Sequence, residues 1–246
     1  MRPFFVPPPR AVQAVGQGPF VLRPSTQHRR TSMVQFLLIR PGSSEFDEQG
    51  RIKGTLDIPL SDVGVLQVGR LVGELHDVQI DHLYSSPSRS AEQTAQALAA
   101  DHRLKVKKLD DLANLDHGLW QGKLIDEVKH SQPKVFRQLQ DRPETVCPPE
   151  GEPVGEAISR VKAVVQRLER KHKTGTVALV VPEPLASLVI AAFTQCGLGD
   201  LWKVECHCGA WQLIEPRREL VAAAAVVPAT GAAAAPTWRG VADPIS

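Results

Sequence analysis

The segment VQFLLIRPG, Val34 to Gly42, joins an almost wholly apolar run to a turn with an arginine, a proline and a glycine. Six apolar-rich residues without alternation are typical of a strand buried on both faces of a sheet. Ser61 then stands as a candidate N-cap, and apolar residues recur at helical spacing as far as Leu75. These patterns predict a buried first strand followed by a helix.

The same alternation continues along the chain. Further strands are predicted at Leu83-Tyr84, Leu104 to Leu109, Thr176 to Val181 and Ala210 to Ile214, and further helices at Ala91 to Ala100 and Ile158 to Leu168. Strands separated by helices predict a three-layer α/β/α sandwich with a mostly parallel central sheet. Ligand sites in such sheets lie beyond the carboxyl ends of the strands, here after Ile39, Tyr84 and Val181.

The composition divides the chain into a central domain and two tails. The 246 residues, 42% of them apolar, are enough for one domain, predicted over residues 33–215. Residues 1–32 are arginine- and proline-rich without an acidic residue, which predicts a disordered or mis-started basic extension. A targeting segment is the alternative, although Pro7 to Pro9 would interrupt its amphipathic helix. Residues 216–246 are alanine-rich and predict a flexible tail.

Charge and cysteine usage narrow the class of protein. A net charge of +2 is too small to predict a nucleic-acid surface. Four unevenly spaced cysteines favour free thiols over disulfides, and hence a cytoplasmic location. No apolar run approaches the roughly 20 residues of a membrane span. The sequence leaves the oligomeric state open, a homo-oligomer included.

The stretch LLIRPGSSEFDEQGRIKGTLDIPLSDVG, Leu37 to Gly64, resembles the opening signature of the histidine phosphatase (phosphoglycerate-mutase-like) superfamily. The residues in register with that signature are Arg40, Gly42, Ser44, Gly50, Arg51, Gly54, Asp57, Pro59, Leu60 and Gly64. Later family motifs resemble SSPSRSAEQTA at Ser85 to Ala95, LANLDHGLWQG at Leu112 to Gly122, PPEGEP at Pro148 to Pro153 and LVVPEP at Leu179 to Pro184. The resemblance implies a phosphoglycerate-mutase-like fold.

The resemblance also implies a chemistry, in which an imidazole attacks phosphorus and cationic side chains neutralise its oxygens. Of the five catalytic positions, the matching residues are Arg40, Pro41, Ser90, Asn114 and Pro182. Pro41 aligns with the nucleophilic histidine and Pro182 with the second histidine, and a proline ring nitrogen has no lone pair for attack. Ser90 replaces an arginine and Asn114 replaces the general acid, so Arg40 alone is retained.

From these replacements the sequence predicts a catalytically inactive member, a pseudophosphatase that binds another protein or a small ligand. A weakened phosphate site is predicted at Arg40, Gly42, Ser44, Arg51 and Arg89, the alternative being that such residues persist as loop scaffolding. Glu183 opposes a bound phosphate by its charge. Two further hypotheses stay open: an active phosphatase or mutase with a non-standard site, and a sensor of phosphate or another small anion.

Other candidate groups are less specific. Cys206-His207-Cys208 resembles a metal-ligand cluster, but on a strand the cysteines would face away from the histidine. His117 is a candidate replacement nucleophile, interpreted here as a structural or partly exposed histidine. The sequence gives no indication of a metal ion or a cofactor.

Overall fold

The computed structural model describes residues 33–194, 198 and 207–214. These residues form a five-stranded sheet of β1 (Val34–Ile39), β2 (His82–Ser85), β3 (Val106–Lys108), β4 (Gly175–Val180) and β5 (Trp211–Ile214). The strand order is β3-β2-β4-β1-β5, and β5 alone pairs antiparallel with its neighbour. The predicted, mostly parallel central sheet is confirmed.

The helices follow the strands in the predicted alternation. They are α1 (Glu45–Glu48), α2 (Asp62–Leu75), α3 (Arg89–His102), α4 (Ile125–Ser131), α5 (Pro133–Asp141), α6 (Val154–Lys171) and α7 (Leu185–Thr194). The Ser61 side chain accepts a hydrogen bond from the Gly64 N–H, so it caps α2 as predicted. None of the helices in the described ranges is long and apolar enough to cross a membrane.

Two hydrophobic cores cover the two faces of the sheet. Phe36 and Leu38 of β1 belong to the core that includes α6 and α7, whereas Leu37 and Ile39 belong to the core with α2 and α3. Successive side chains of a strand point to opposite faces, so a strand buried on both faces must be apolar throughout. The three-layer arrangement explains the uninterrupted apolar run of β1.

The structure corrects several element boundaries. The predicted strand at Leu104 to Leu109 shortens to β3, because the Leu104 N–H donates to Ala99 O at the end of α3. Helix α7 was not predicted, since its apolar run has no polar face to show a helical period. The predictions for residues 1–32 and 216–246 lie outside the described residues.

Glycine at residue 64 allows the first turn of α2 to approach the turn that follows β1. An added Cβ at Gly64 would stand 2.0 Å from Ser43 O, a backbone atom that cannot give way cheaply. We expect Gly64→Ala to lower the free energy of unfolding by about 1–3 kcal/mol. Gly73 lies exposed on the same helix with open space, so Gly73→Ala should stabilise by about 0.5–1 kcal/mol. Urea unfolding measures the free energy of unfolding of both variants. Equal changes in the two variants would contradict the close approach of Gly64 to Ser43 O.

Candidate active site

The pairing of β1 with β4 brings the residues after both strands together. Ile39 lies beside Val180, and the Val181 N–H continues the ladder by donating to Ile39 O at 2.9 Å. On the other side of β1, the Arg40 N–H donates to Ala210 O at 2.9 Å. The chain therefore brings three segments to one end of the sheet. The segments after β1 and β4 are two of the predicted places, whereas the turn before β5 was not predicted, and no residue of the segment directly after β2 lines the cleft described below.

A small cleft opens at this end, and we call it the strand-end cleft. Its lining consists of Arg40, Pro41, Asp47, Lys53, Pro182, Glu183, His207 and Cys208. The cleft brings together the first strand turn and the turn after β4, the two places that carry the aligned prolines. It combines two cationic side chains, two carboxylates, an imidazole and a thiol.

The Arg40 guanidinium forms a buried ion pair with Glu183. Its Nε and Nη2 both contact Oε1 of the carboxylate, and the two side chains are only 4% and 11% exposed. The other carboxylate oxygen accepts from the Ser187 N–H at 3.2 Å and the Ser187 hydroxyl at 2.8 Å. Four donors from the end of β1 and the first turn of α7 thus converge on one carboxylate. They form an anion-binding group that Glu183 occupies.

Lys53 and Asp47 form a second ion pair in the cleft. Lys53 Nζ lies 2.7 and 3.0 Å from the two Asp47 carboxylate oxygens. Burial by itself would raise the pKa of Asp47, but the Lys53 charge and hydrogen bonds from Lys53 and Ser44 outweigh it and lower that pKa. Asp47 is therefore ionised at neutral pH, and the two ion pairs leave these four charges balanced.

The backbone of the turn after Pro41 has its hydrogen bonds within the protein. The N–H groups of residues 42–44 donate, in order, to Thr94 Oγ1 at 3.3 Å, Gln67 Oε1 at 2.8 Å and Asp47 Oδ2 at 2.8 Å. The sequence predicted Gly42 and Ser44 as parts of a phosphate site. The structure instead engages Ser44 with Asp47 at the start of α1, because each N–H in this buried turn needs an acceptor.

Arg51 and Arg89, the other predicted phosphate ligands, do not line the strand-end cleft. Arg51 Nη1 donates to Gly122 O at 2.7 Å, and its Nε donates to Gln49 Oε1 at 2.8 Å. Arg89 is exposed at the first residue of α3, while Ser90 beside it is fully buried. Neighbouring residues on a helix point about 100° apart, so Arg89 does not take the place of Ser90. Of the predicted phosphate ligands, Arg40 lies in the cleft.

Asn114 has a structural role that sequence reasoning did not foresee. Its amide nitrogen donates to Gly54 O at 3.0 Å and to Glu183 O at 2.9 Å. Its oxygen accepts from the Leu185 N–H at 3.4 Å. The buried amide therefore links the turn before α7 to the Gly54 loop, which fixes the backbone of Glu183.

His117 lies in an adjoining cavity of about 80 Å³ rather than in the strand-end cleft. The cavity shares Asp47, Lys53 and Glu183 with the cleft, and its apolar wall includes Leu115, Trp120, Ile125, Leu139 and Val154. Burial lowers the pKa of His117 to about 4, against smaller opposing contributions from a Leu115 backbone hydrogen bond and from Asp116. The imidazole is thus neutral at physiological pH, in keeping with a structural histidine.

The sequence analysis did not assign four residues of the cleft lining to the site: Asp47, Lys53, His207 and Cys208. It considered His207 and Cys208 only as part of a metal-ligand cluster. The sequence placed them on a strand, but β5 begins only at Trp211, and residues 208–209 form a turn. The Gly209 N–H donates to Pro41 O at 2.9 Å, and Gly209 has a φ of +74° that favours glycine. Glycine before a short strand was the available sequence signal for a turn. Cys206, the third member of the suggested metal cluster, lies outside the described residues.

A family model described as the histidine phosphatase superfamily, branch 1, matches residues 36–226. This match covers most of the chain. It agrees with the α/β fold and with the cleft at the carboxyl ends of the strands. The protein belongs to the histidine phosphatase superfamily.

Individual relatives agree with this assignment. Phosphoserine phosphatase 1 of Hydrogenobacter thermophilus is 31% identical over 191 residues, covering 77% of this chain and 90% of that protein. The structure of Bacillus stearothermophilus YhfR matches with a TM-score of 0.66 at 26% identity, over 74% of this chain and 91% of that one. The α-ribazole phosphatase of Shigella flexneri shares the fold, with a TM-score of 0.64 at 24% identity over 74% and 90% of the two chains.

These comparisons contradict the prediction of a catalytically inactive protein. The relative with 31% identity is named a phosphatase and is matched over nearly its whole length. The prediction of inactivity rested on the four replaced catalytic positions, Pro41, Ser90, Asn114 and Pro182. The alternative of an active phosphatase with a non-standard site is the one that the relatives favour.

The lowered pKa of His117 predicts a pH-dependent stability. The unfolded chain binds this proton near pH 6.5, the folded protein only near pH 4, so protonation favours unfolding between these values. Stability that is present above pH 6.5 should fall by up to about 3 kcal/mol as the pH drops to 4. Urea unfolding at a series of pH values measures the slope. His117→Asn should reduce it, whereas exposed His130→Asn should not; equal slopes in all three proteins would refute the assignment.

Proposed function

We propose that this protein is a phosphatase of small phosphorylated molecules with a non-standard site, in which Pro41 and Pro182 occupy the positions of the two family histidines. Support comes from family membership and from the phosphatase relative matched over 90% of its length. The observation that carries the proposal is the set of four donors around Arg40 that converge on one anion.

The Arg40 donor set has the properties that a phosphate group requires. A guanidinium offers parallel N–H groups in a fixed fork, and the N-terminal turn of α7 adds the Ser187 N–H and hydroxyl. The fork is nearly inaccessible to water, so its electrostatic interaction with an anion is weakly screened. A phosphoryl oxygen could therefore accept the same hydrogen bonds as the Glu183 carboxylate.

Glu183 competes with the substrate for these donors. A phosphomonoester must displace the carboxylate from Arg40, and the released negative charge then remains near the bound phosphate. The positive charge of Lys53 does not offset the repulsion between Glu183 and the phosphate, because the Asp47 carboxylate already neutralises that charge. We expect weak substrate affinity and strong dependence on the charge at Glu183.

The adjoining cavity favours a small leaving group. Its volume of about 80 Å³ is well below the roughly 300 Å³ at which typical ligand pockets begin. It opens on the same Asp47, Lys53 and Glu183 that line the strand-end cleft. A phosphorylated small molecule could place its phosphate at Arg40 and a compact organic group in this cavity.

Hydrolysis assays with p-nitrophenyl phosphate, phosphoserine and 3-phosphoglycerate test the proposal. We expect phosphate release above a blank without protein, and a loss of about 100-fold or more in Arg40→Gln, because the main charge that stabilises the developing phosphoryl charge is gone. Arg40→Lys keeps the charge without the fork and should retain an intermediate rate.

Arg70→Gln is the matched control, since Arg70 is exposed on α2 and is not part of the cleft lining. Its rate should equal that of the wild type, and circular dichroism should show all three variants folded. Wild-type protein that releases no phosphate from any of the three esters would refute the proposed function. Phosphate binding without hydrolysis would point instead to the anion sensor.

Removing the Glu183 charge should lower the stability of the fold and raise the affinity for phosphate. Glu183→Gln leaves Arg40 buried without a counter-charge, which we expect to cost about 3–5 kcal/mol of unfolding free energy. Millimolar inorganic phosphate should then raise the melting temperature of this variant far more than that of the wild type. Glu45→Gln makes the same charge change at an exposed site and should show neither effect. An unchanged response to phosphate in Glu183→Gln would contradict competition at Arg40.

A further inference from the structure

A phosphatase that has proline at both aligned histidine positions needs another group to attack phosphorus or to activate water. Imidazole can attack directly, and histidine is common in both roles. Seven of the eight histidines in the sequence fall within the described residues: His76, His82, His102, His117, His130, His172 and His207. Their positions in the fold differ widely.

Most of these histidines are remote from Arg40. The rings of His82 and His172 are in contact, tilted with centroids 4.2 Å apart, at the opposite end of the sheet, where β2 and β4 begin. Others lie on or at the ends of α2, α3 and α4, namely His76, His102 and His130. Among the described histidines, the strand-end cleft is lined by His207 alone.

The turn before β5 holds His207 at the cleft through backbone hydrogen bonds. The Ala210 N–H donates to His207 O at 3.0 Å, while Ala210 O accepts from the Arg40 N–H at 2.9 Å. The Gly209 N–H donates to Pro41 O at 2.9 Å. The turn is thus hydrogen-bonded to both residues that follow β1, Arg40 and Pro41, and Pro41 is the residue aligned with the family nucleophile.

We propose that His207 is the nucleophile of the phosphatase reaction, an inference that rests on the proposed function. The imidazole enters the cleft from the turn before β5, whereas the family resemblance places the nucleophile in the turn after β1. The same cleft would then bind the phosphate at Arg40 and receive the attacking nitrogen from the other side of β1.

The reaction balances with one water molecule. An unprotonated ring nitrogen of His207 attacks phosphorus, the N–P bond forms, and the P–O bond to the leaving group breaks. The leaving oxygen keeps the bonding electrons and takes a proton from water. The resulting hydroxide attacks the phosphoimidazole, the N–P bond breaks, and inorganic phosphate leaves with the neutral imidazole restored.

The neighbouring thiol of Cys208 is the alternative nucleophile in the same lining. A thiol must ionise before it attacks, and a net positive environment is what usually promotes that ionisation. The cleft supplies no such excess, because Arg40 pairs with Glu183 and Lys53 pairs with Asp47. An imidazole attacks through the lone pair of a ring nitrogen and does not need to lose a proton first.

The test compares His207→Ala, Cys208→Ser and His130→Ala with the wild type in hydrolysis of p-nitrophenyl phosphate. We expect His207→Ala to fall to the blank rate, a loss of at least about 1000-fold, as happens when a nucleophile is removed. The exposed control His130→Ala should keep the wild-type rate, and Cys208→Ser, although it alters the cleft lining, should still hydrolyse the ester well above the blank. Added free imidazole should restore part of the rate lost in His207→Ala, because it can replace the missing nucleophile. It would not restore a rate lost through a structural defect. Mass spectrometry of wild type quenched without acid should find a phosphoryl group on the peptide that carries His207.

The outcomes separate this inference from the proposed function. If His207→Ala hydrolyses the ester at the wild-type rate, His207 is not the nucleophile, and the phosphatase assignment is unaffected. Loss of activity in Cys208→Ser but not in His207→Ala would assign the attack to the thiol. A wild-type protein without any phosphomonoesterase activity would overturn both proposals together. Thermal unfolding of each variant shows whether a lost rate reflects a lost fold.

Discussion

The parallel pairing of β1 with β4 is the constraint on which the site depends. Both strands are buried on both faces, and their register sets Ile39 beside Val180. A polar side chain can leave such a sheet only where the strands end, so Arg40 and Glu183 emerge at the same edge and meet there. Their ion pair follows from the pairing of the two strands, because the backbone register places both residues at the same edge of the sheet. The antiparallel β5 then adds its preceding turn, with His207, to that edge.

Charge balance governs what the cleft can bind. Two cations and two carboxylates form internal pairs, Arg40 with Glu183 and Lys53 with Asp47, and each pair is largely shielded from water. A buried charge without a partner is costly, so each pair protects the fold. The same pairs oppose an incoming anion, which must break one of them. Stability and affinity for phosphate are therefore in direct competition at Glu183, where the carboxylate uses the very donors that a phosphate would use.

Much of the fold could be predicted from local patterns. The apolar run of β1, the Ser61 cap and the stripe of α6 carry their periodicity within a few residues, so each was recognisable without the rest of the chain. Helix α7 was missed because its almost wholly apolar run shows no helical period. The prediction of an inactive protein was wrong because it considered only the positions at which the family keeps its catalytic residues. The phosphatase relative matched over nearly its whole length overturns that prediction.

The sequence by itself determined the sheet class, the place of the cleft and the presence of Arg40 in it, since these depend on periodicity and on motifs of adjacent residues. It also showed prolines at 41 and 182. Only the tertiary structure decided that Glu183 occupies the Arg40 donors, that Asn114 secures the Glu183 backbone, and that the turn before β5 brings His207 to the cleft. Those contacts join residues about 70 to 170 positions apart. No local pattern encodes them, because they arise only when separate strands are paired in register.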